Sequence, residues 1–261
     1  MAEVAFRVVI PARYGATRLP GKPLRELAGR PLLAHVHERA LASGAEEVVV
    51  ATDHPGVARL AEGLGARVCL TDPGHASGTE RLAEAVRLLG WPEETLVVNL
   101  QGDEPLMPPE LLAQVAADLA AHPQAPVATL CTPIATAAEL FDPHVVKVVR
   151  DAAGYALYFS RAPIPWDREA FAGTEARLPP GSVHHRHIGL YAYRAGFLQR
   201  YVSWPPCPPE RLESLEQLRV LWHGERIHVA LALRPAPPGV DTEEDLARAE
   251  RLLREAAERG G

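Results

Sequence analysis

The chain has 261 residues, of which 47% are hydrophobic and 23% charged. This size and balance predict a soluble globular protein, either one large domain or one domain with an insert, and exclude collagen, a coiled coil or a disordered chain. There are 27 Lys and Arg against 33 Asp and Glu, a net charge of -6, which argues against a general affinity for nucleic acid or anionic membranes.

The cysteines and the N-terminal segment indicate the compartment. Cys69, Cys131 and Cys207 are widely spaced and form no CxxC pair, so neither a disulfide framework nor a zinc module is predicted. The first segment reaches Pro11 too early for a signal peptide, and no stretch approaches the ~18 apolar residues of a membrane span. We therefore expect a cytoplasmic protein.

The first half of the chain alternates between apolar, β-branched runs and helical patterns. Strands are predicted at 6–10, 48–52, 67–70 and 96–100. The intervening helical patterns include 31–43, which ends before Gly44, and 79–89. This alternation predicts an α/β fold with a mostly parallel sheet flanked by helices.

The pattern changes after residue 127. Strands are predicted at 127–130, 145–150, 155–159, 188–193 and 227–233, and the turn signal at 151–154 indicates a direct hairpin. We interpret this part as an antiparallel section, with an inserted subdomain at about 140–210. Helices are predicted at 212–222 and 242–258, where Thr242 and Asp245 have the spacing of a capping box.

A basic loop follows the first strand. It holds Arg13, Arg18 and Lys22 with no acidic residue, and a loop at this end of an open α/β sheet is a typical place to bind a polyphosphate. The alternative is a solvated basic loop. It is not a Walker A loop, because Gly15 and Gly21 are separated by five residues and Lys22 precedes Pro, and the absence of GxGxxG disfavours a standard dinucleotide fold.

Two acidic segments could hold a metal ion. Gln101, Asp103 and Glu104 follow the strand at 96–100, and Asp241 lies just outside the cap of the last helix. Because Mg²⁺ prefers one or two protein carboxylates, with water and phosphate completing its shell, Asp103 and Asp241 are candidate ligands. Asp103 could instead cap a turn, and Asp241 could merely decorate a helix terminus.

The segment 184–191 carries three histidines on a predicted strand. The His-x-x-His spacing without a nearby Cys or acidic ligand disfavours zinc. His187 is better suited to binding an anionic ligand, and Arg161 offers a fork for a carboxylate. Structural roles for both remain equally open.

With these residues assembled, the chain resembles the CMP-Kdo synthetases, which are 3-deoxy-manno-octulosonate cytidylyltransferases. The matching motifs cover nearly the whole chain: PARYGATRLPGKPL, ATDH, HASGTERLAE, NLQGDEP, KVVRDAAGYALYFSRAPIPWDR, RHIGLYAYR, LESLEQLRVLWHGERIHV and PGVDTEEDL. Family members often have Ser where this chain has Ala16, and we expect at most a modest effect on CTP affinity. The stretch 169–183 matches no family pattern.

The resemblance implies a Rossmann-like fold with a smaller subdomain that supports a homodimer. It implies a nucleotide site in which Arg13, Arg18 and Lys22 hold the triphosphate of CTP and Ser77, Thr79 and Arg81 lie near the base. It further implies that Asp103 and Asp241 hold Mg²⁺. The implied sugar-acid pocket is lined by Gln101, Arg161, His187, Tyr191, Glu216 and Gln217.

The reaction implied is CTP + Kdo → CMP-Kdo + pyrophosphate, by direct in-line displacement, for a lipopolysaccharide-type surface glycan. Three alternatives remain. The acceptor could be another ulosonic acid or an amino derivative of Kdo; the protein could be a glycosyltransferase that uses a nucleotide sugar; or it could be a non-catalytic nucleotide-binding regulator. The basic loop disfavours the glycosyltransferase, because a diphosphate donor needs fewer cations.

Overall fold

The structure, a computed structural model, describes residues 4–15, 18–172, 177–178 and 181–260. Ala16, the departure from the family pattern, lies outside the described residues, as does part of the unmatched stretch 169–183. None of the helices within these ranges combines the length and the apolar character needed to cross a bilayer.

Strands and helices alternate through the first half of the chain. The strands of the described residues are β1 Arg7–Pro11, β2 Glu26–Leu27, β3 Arg30–Pro31, β4 Glu47–Thr52, β5 Arg67–Leu70, β6 Leu96–Asn99, β7 Val127–Pro133, β8 Lys147–Arg150, β9 Ala156–Ser160, β10 His185–Arg194 and β11 Ile227–Leu231. The helices are α1 Leu32–Leu41, α2 Pro55–Gly63, α3 Gly78–Leu89, α4 Pro109–Ala121, α5 Ala137–Phe141, α6 Ala195–Ser203, α7 Pro208–Glu213, α8 Leu218–Trp222 and α9 Glu243–Gly260.

The main sheet is mixed and mostly parallel along its length, as predicted. Its order is β11-β7-β10-β6-β1-β4-β5, with β8 and β9 attached through β10, while β2 and β3 form a small antiparallel pair. Strands β1, β4, β5 and β6 are parallel to their neighbours within that group, and β10 runs antiparallel to β6, β7 and β8. The predicted turn at 151–154 joins β8 to β9 as an antiparallel hairpin.

The sheet separates two hydrophobic layers. Alternate residues of a strand point to opposite faces, so Val8 and Ile10 pack in one layer with α1 and α4, whereas Val9 packs in the other with α3 and α6. The near-continuous apolar sequence of β1 is explained by this burial on both faces. Because helices cover both faces of the sheet, a ligand site is expected at the carboxyl ends of the strands.

One predicted helix is wrong in its extent. The segment 212–222 is not one helix but the end of α7 and all of α8, interrupted at Ser214, whose φ of 52° is left-handed. A left-handed residue ends an α-helix because it turns the chain away from the helical path. The interruption presents Glu216 and Gln217 to a cavity rather than along a helix face.

Along one edge of strand β10, the pairing partner changes from β8 to β6. Its residues 185–186 pair with β8 and its residues 191–194 pair with β6, while β7 covers the opposite edge. The register with β7 also shifts between Ile188 and Tyr191, as at a β-bulge. This edge of β10 therefore has a gap between β8 and β6. A cavity there is lined by His187, Gly189 and Tyr191.

The three cysteines, Cys69, Cys131 and Cys207, are all buried, and none of them forms a disulfide.

Candidate functional site

The loops after β1 and β6 meet at the carboxyl ends of these two neighbouring strands. A Cβ atom at Gly102 would lie 2.8 Å from the main-chain oxygen of Pro11, so only glycine allows this approach. The basic loop and the acidic loop are thereby brought to one edge of the sheet, as the strand-end positions predict.

Lys22, Asp103 and Asp241 meet at this edge although they come from distant parts of the chain. The Lys22 Nζ donates to Asp103 Oδ2 at 2.8 Å and to Asp241 Oδ1 at 2.7 Å. Arg18 donates to the other oxygen of Asp241 at 2.9 Å. The two carboxylates predicted to share a metal are therefore close enough to share one cation.

The charge of Lys22 is stabilised by this arrangement. Its burial acts to lower the pKa, but the charges and hydrogen bonds of Asp103 and Asp241 outweigh that effect and raise the pKa of Lys22 above its ordinary value. Two carboxylates that converge on a cation form an oxygen donor set of the kind that suits a divalent metal such as Mg²⁺. The residues present thus fit a divalent cation.

Helix α9 positions Asp241. The Asp245 Oδ2 accepts the main-chain N–H groups of Asp241 and Thr242, both at 3.0 Å, and Asp245 N–H donates to Thr242 Oγ1 at 3.2 Å. This is the predicted capping box. The main chain that bears the Asp241 carboxylate is consequently fixed by the first turn of the helix.

A cavity of about 240 Å³ lies beside the carboxylates. It is bounded by the basic loop, the acidic loop and the N-terminus of α3, where Ser77 caps the helix by accepting the N–H of Glu80 at 3.2 Å. A helix N-terminus and cationic side chains together favour an anion. The predicted residues that line it are Arg13, Lys22, Ser77, Arg81, Gln101, Asp103, Glu216 and Asp241.

A second cavity, of about 350 Å³, adjoins the first and opens along β10. The predicted residues that line it are Thr79, Gln101, His187, Tyr191, Glu216 and Gln217. Gly78, Gln101 and Glu216 line both cavities, so these residues mark the place where the two meet. A ligand in either cavity can therefore contact Gln101.

Glu216 ties the α7–α8 turn to helix α3. Burial raises its pKa, and this rise is opposed by hydrogen bonds from Thr79 and Ser77. Glu216 thus combines a carboxyl group of raised pKa with two hydroxyl donors at the junction of the cavities.

His187 is neutral in the wall of the larger cavity. Burial lowers its pKa to about 3. Its Nε2 lies 3.0 Å from Thr129 Oγ1, a hydroxyl that is also 2.8 Å from the Leu190 carbonyl oxygen. Since the hydroxyl has one proton, which the carbonyl can only accept, Nε2 carries the proton and donates it to Thr129. Nδ1 is then a hydrogen-bond acceptor.

Two of the predicted arginines are held by the protein itself. Arg161 donates through Nε to the Glu213 carbonyl at 2.7 Å and through a terminal nitrogen to the Pro143 carbonyl at 2.9 Å, and it is not among the described residues that line either cavity. Arg81 is buried and forms an ion pair with Asp53 at 2.9 Å. The guanidinium of Arg81 is thus fixed before any ligand binds.

Sequence reasoning missed several polar groups of the larger cavity. Tyr193 and Tyr201 line it, and burial raises the pKa of each hydroxyl. Asn99 also lines it, and its Oδ1 is buried without a hydrogen-bond partner in the described part of the chain. The position of Asn99 at the carboxyl end of a buried strand, two residues before Gln101, is a signal that could have identified it.

Comparisons with known proteins show which family this chain is similar to. Residues 7–227 match the family described as Cytidylyltransferase. The chain is 59% identical to a 3-deoxy-manno-octulosonate cytidylyltransferase of Idiomarina loihiensis, over 95% of this chain and 98% of that one. It is also 59% identical to the enzyme of the same name from Nitrosococcus oceani, over 96% and 97% of the two chains.

A solved structure is similar over the same extent. It is that of a CMP:2-keto-3-deoxy-manno-octonic acid synthetase complexed with CTP, with 42% identity and a TM-score of 0.87, and the match covers 97% of this chain and 99% of that one. The match therefore extends over nearly the whole chain.

Proposed function

Because the chain belongs to the family of 3-deoxy-manno-octulosonate cytidylyltransferases, we propose that Asp103 and Asp241 hold the magnesium ion of a CTP-dependent cytidylyl transfer. The reaction is the transfer of CMP from CTP to Kdo, and a divalent metal is required for it. The observation that carries the magnesium assignment is the convergence of both carboxylates on Lys22.

We assign CTP to the smaller cavity. Its triphosphate lies along Arg13, Arg18 and Lys22, and its base lies near Ser77, Thr79 and Arg81. The support for the triphosphate position is charge, because Arg13 and Lys22 of the basic loop line this cavity. Ser77 and Arg81 line the same cavity and Thr79 lines the adjoining one, and the base position rests on the family resemblance. The cations of the basic loop stabilise the pyrophosphate as it leaves.

We assign Kdo to the larger cavity, against Gln101, His187, Tyr191, Glu216 and Gln217. A neutral His187 accepts a hydrogen bond from a sugar hydroxyl through Nδ1, which the proton position on Nε2 leaves available. Arg161 is assigned to the outer edge, where it would reach the sugar carboxylate by exchanging its bonds to the carbonyl groups of Glu213 and Pro143.

The mechanism is a direct in-line attack of the anomeric hydroxyl on the α-phosphorus: the new O–P bond forms as the bond from the α-phosphorus to the pyrophosphate oxygen breaks, and the hydroxyl proton is released to solvent. When bound, the divalent cation supplies positive charge to the phosphate oxygens. Lys22 and the arginines bind and orient the phosphates, so that positioning and electrostatics supply most of the rate. Gln101 lines both cavities and would contact both CTP and Kdo.

The described residues give no support to a covalent intermediate. Ser77 caps α3 and donates to Glu216, whereas His75 is paired with Glu84 at 2.6 Å. Neither side chain is placed to activate the other as a nucleophile and base would be.

The subdomain at about 140–210 is proposed to support a homodimer. Leu157 and Tyr158 on β9 are 61% and 39% exposed, on a strand that pairs only with β8 among the described strands of the sheet. Burial of such a patch against a second copy would stabilise a dimer. The free cysteines support a reducing compartment, the cytoplasm, and we further propose that the product serves surface-glycan synthesis.

The test is release of pyrophosphate from CTP and Kdo with Mg²⁺. We expect Asp103→Asn to lower kcat/KM about 100-fold or more, by analogy with the loss of one charge-stabilising group, and to raise the Mg²⁺ concentration needed for half-maximal rate. Glu243→Gln is the matched control, because Glu243 is an exposed carboxylate beside Asp241 that pairs with Arg25 instead. It should leave the rate near that of the wild type.

Three results would contradict the assignments. Near-normal turnover and magnesium dependence in Asp103→Asn would remove the metal site. Faster turnover of another ulosonic acid, or of an amino derivative, would change the acceptor. No pyrophosphate from any pairing, with UTP and a sugar lacking the carboxylate as controls, would favour the nucleotide-binding regulator.

A further inference from the structure

A buried lysine lies next to the segments around the larger cavity and has no part in the mechanism described above. Lys22 and Lys147 are the only lysines in the sequence, and the remaining Lys and Arg residues are all arginines. Lys22 belongs to the proposed magnesium site. Lys147, the first residue of β8, is 0% exposed. A charge buried this completely is costly unless it is hydrogen-bonded, so its partners show what it does.

The ammonium group of Lys147 is held by three main-chain carbonyl oxygens. Its Nζ donates to the carbonyl groups of Asp142 at 2.9 Å, Val145 at 2.5 Å and Arg161 at 2.6 Å. An ammonium group has three donors and no acceptor, so all three donors are used and the group is protonated. Lys147 thereby ties the loop 142–145 to the residue that follows β9.

The main chain of Arg161 is fixed at both of its peptide groups. Its N–H donates to Glu213 Oε2 at 2.9 Å, and its carbonyl oxygen accepts from Lys147. The other oxygen of Glu213 accepts the hydroxyl of Ser160, the residue opposite Lys147 in the β8–β9 pair, at 2.6 Å. Hydrogen bonds to charged groups are stronger than those between neutral groups, so the main chain is held firmly here.

The side chain of Arg161 has only neutral acceptors in these contacts. They are the carbonyl groups of Glu213 and Pro143, at 2.7 Å and 2.9 Å. A ligand carboxylate would form stronger, paired bonds with the guanidinium, so it can displace these carbonyl groups. Pro143 lies in the loop 142–145 that Lys147 holds. The starting position of the guanidinium is therefore set by the same ammonium group.

Strand β8 also contacts the wall of the larger cavity. The main-chain N–H of His187, which lines that cavity, donates to the carbonyl oxygen of Val146 at 2.8 Å. Val146 directly precedes Lys147 in the chain. The cavity wall and the anchor of the loop 142–145 are therefore joined by two consecutive residues.

On the basis of the proposed contact between Arg161 and the carboxylate of Kdo, we propose that Lys147 is a positioning residue for the acceptor sugar. Its ammonium group fixes the main chain of Arg161 and the loop 142–145, so only the Arg161 side chain has to move when Kdo binds. Lys147 itself does not touch the substrate. Its loss should weaken Kdo binding and leave CTP binding unchanged, because the smaller cavity is built from other segments.

The experiment is a double-mutant cycle of Lys147 and Arg161, read as KM for Kdo and KM for CTP in the pyrophosphate-release assay. We expect Lys147→Met to raise KM for Kdo about 10-fold, because a small misplacement of a binding group is enough for such a loss. KM for CTP should not change. Arg161→Ala should raise KM for Kdo at least as much. Adding Lys147→Met to Arg161→Ala should then have little further effect, because Lys147 acts through Arg161.

Arg150→Met is the matched control. Arg150 is a cation at the other end of β8 and also donates to a main-chain carbonyl, that of Val229 at 2.9 Å. Its loss should leave both KM values as in the wild type. Circular dichroism and thermal unfolding check that each variant is folded. If Lys147→Met does not fold, Lys147→Gln, which keeps two N–H donors, takes its place in the cycle.

The possible failures can be told apart. An unchanged KM for Kdo in Lys147→Met, together with a raised value in Arg161→Ala, would overturn the positioning role and leave the carboxylate contact standing. Equal rises of KM for both substrates, or full additivity of the two substitutions, would show that Lys147 only stabilises the fold. An unchanged KM for Kdo in Arg161→Ala would contradict the carboxylate contact and the positioning role with it.

Discussion

At the scale of single residues, Lys22 acts as the counter-ion of the two acids proposed to bind magnesium. Its ammonium group bridges Asp103 and Asp241, so these carboxylates do not repel each other before the metal arrives. Their positions in a loop after a strand or next to a helix cap made these three residues candidates, and the family resemblance implied that they serve one site. The sequence did not predict their mutual pairing, since spacing along the chain carries no side-chain geometry.

His187 illustrates the opposite limit. Its position on a strand indicated a ligand contact, but its protonation state depends on burial and on Thr129, a residue that sequence reasoning did not connect with it. Because the ring is neutral, His187 is not expected to attract an anion by charge. It is expected to accept a hydrogen bond from a ligand hydroxyl.

The lowered pKa of His187 predicts a dependence of stability on pH. Unfolded His187 gains a proton as the pH falls through about 6.5, whereas the folded residue does so only near pH 3. Between these values the unfolded chain binds more protons, so the free energy of unfolding decreases with falling pH. We expect His187→Gln to reduce this dependence by up to about 1.4 kcal/mol per pH unit.

Denaturant unfolding of both proteins between pH 7 and pH 4.5 measures the effect. His187→Asn, a second side chain that does not titrate, should give the same slope as His187→Gln. Equal slopes in the wild type and both variants would mean that the folded His187 titrates as the unfolded residue does.

At the scale of elements, ends and interruptions matter more than the elements themselves. Helix α9 was predicted from its capping box, and the structure confirms the box. The break between α7 and α8 was not predicted, because the apolar spacing of 212–222 continues through it. The left-handed residue at the break is Ser214, and neither glycine nor proline marks the position in the sequence. That break places Glu216 and Gln217 in the larger cavity.

The N-terminal cap of α9 is expected to affect both the stability of the protein and the Mg²⁺ concentration that the reaction needs. Asp245→Ala removes the acceptor of two main-chain N–H groups, including that of Asp241, so we expect a loss of about 1 kcal/mol in the free energy of unfolding. We also expect a several-fold rise in the Mg²⁺ concentration for half-maximal rate, because the Asp241 carboxylate is less well fixed.

Thermal unfolding and magnesium titration of the rate measure the two effects. Glu250→Gln is the control, since Glu250 lies on the same helix and pairs with Arg254 far from the cap. A stability loss in Asp245→Ala with no change in magnesium dependence would show that the cap does not position Asp241.

At the scale of the whole molecule, the parallel half of the sheet followed from the alternation of strands and helices. The antiparallel half was predicted from the hairpin signal at 151–154. The position of β10 between β6 and β7 was not predictable from local pattern, because it depends on pairing between strands distant in sequence.

The proposed dimer is testable with two exposed leucines on different strands. Leu157 on β9 and Leu70 on β5, the last strand of the main sheet order, are 61% and 65% exposed. A buried unpaired charge in an interface is costly, so Leu157→Asp should shift the protein towards monomer and Leu70→Asp should not.

Light scattering coupled to gel filtration reports the mass of each variant. A monomeric wild type would exclude the dimer, and dissociation by Leu70→Asp instead of Leu157→Asp would place the interface at the other edge.

The position of β10 between β6 and β7 also determines the order in which the strands of the sheet can pair during synthesis. The first parallel strands, β1, β4, β5 and β6, are complete by residue 99, but β7 joins them only through β10, which begins at residue 185. An emerging chain must therefore hold β7 without its sheet neighbours while about fifty more residues leave the ribosome. The wall of the larger cavity, the proposed Kdo site, is completed only when β10 pairs with β6 and β7, so a chain that still lacks β10 cannot form this cavity.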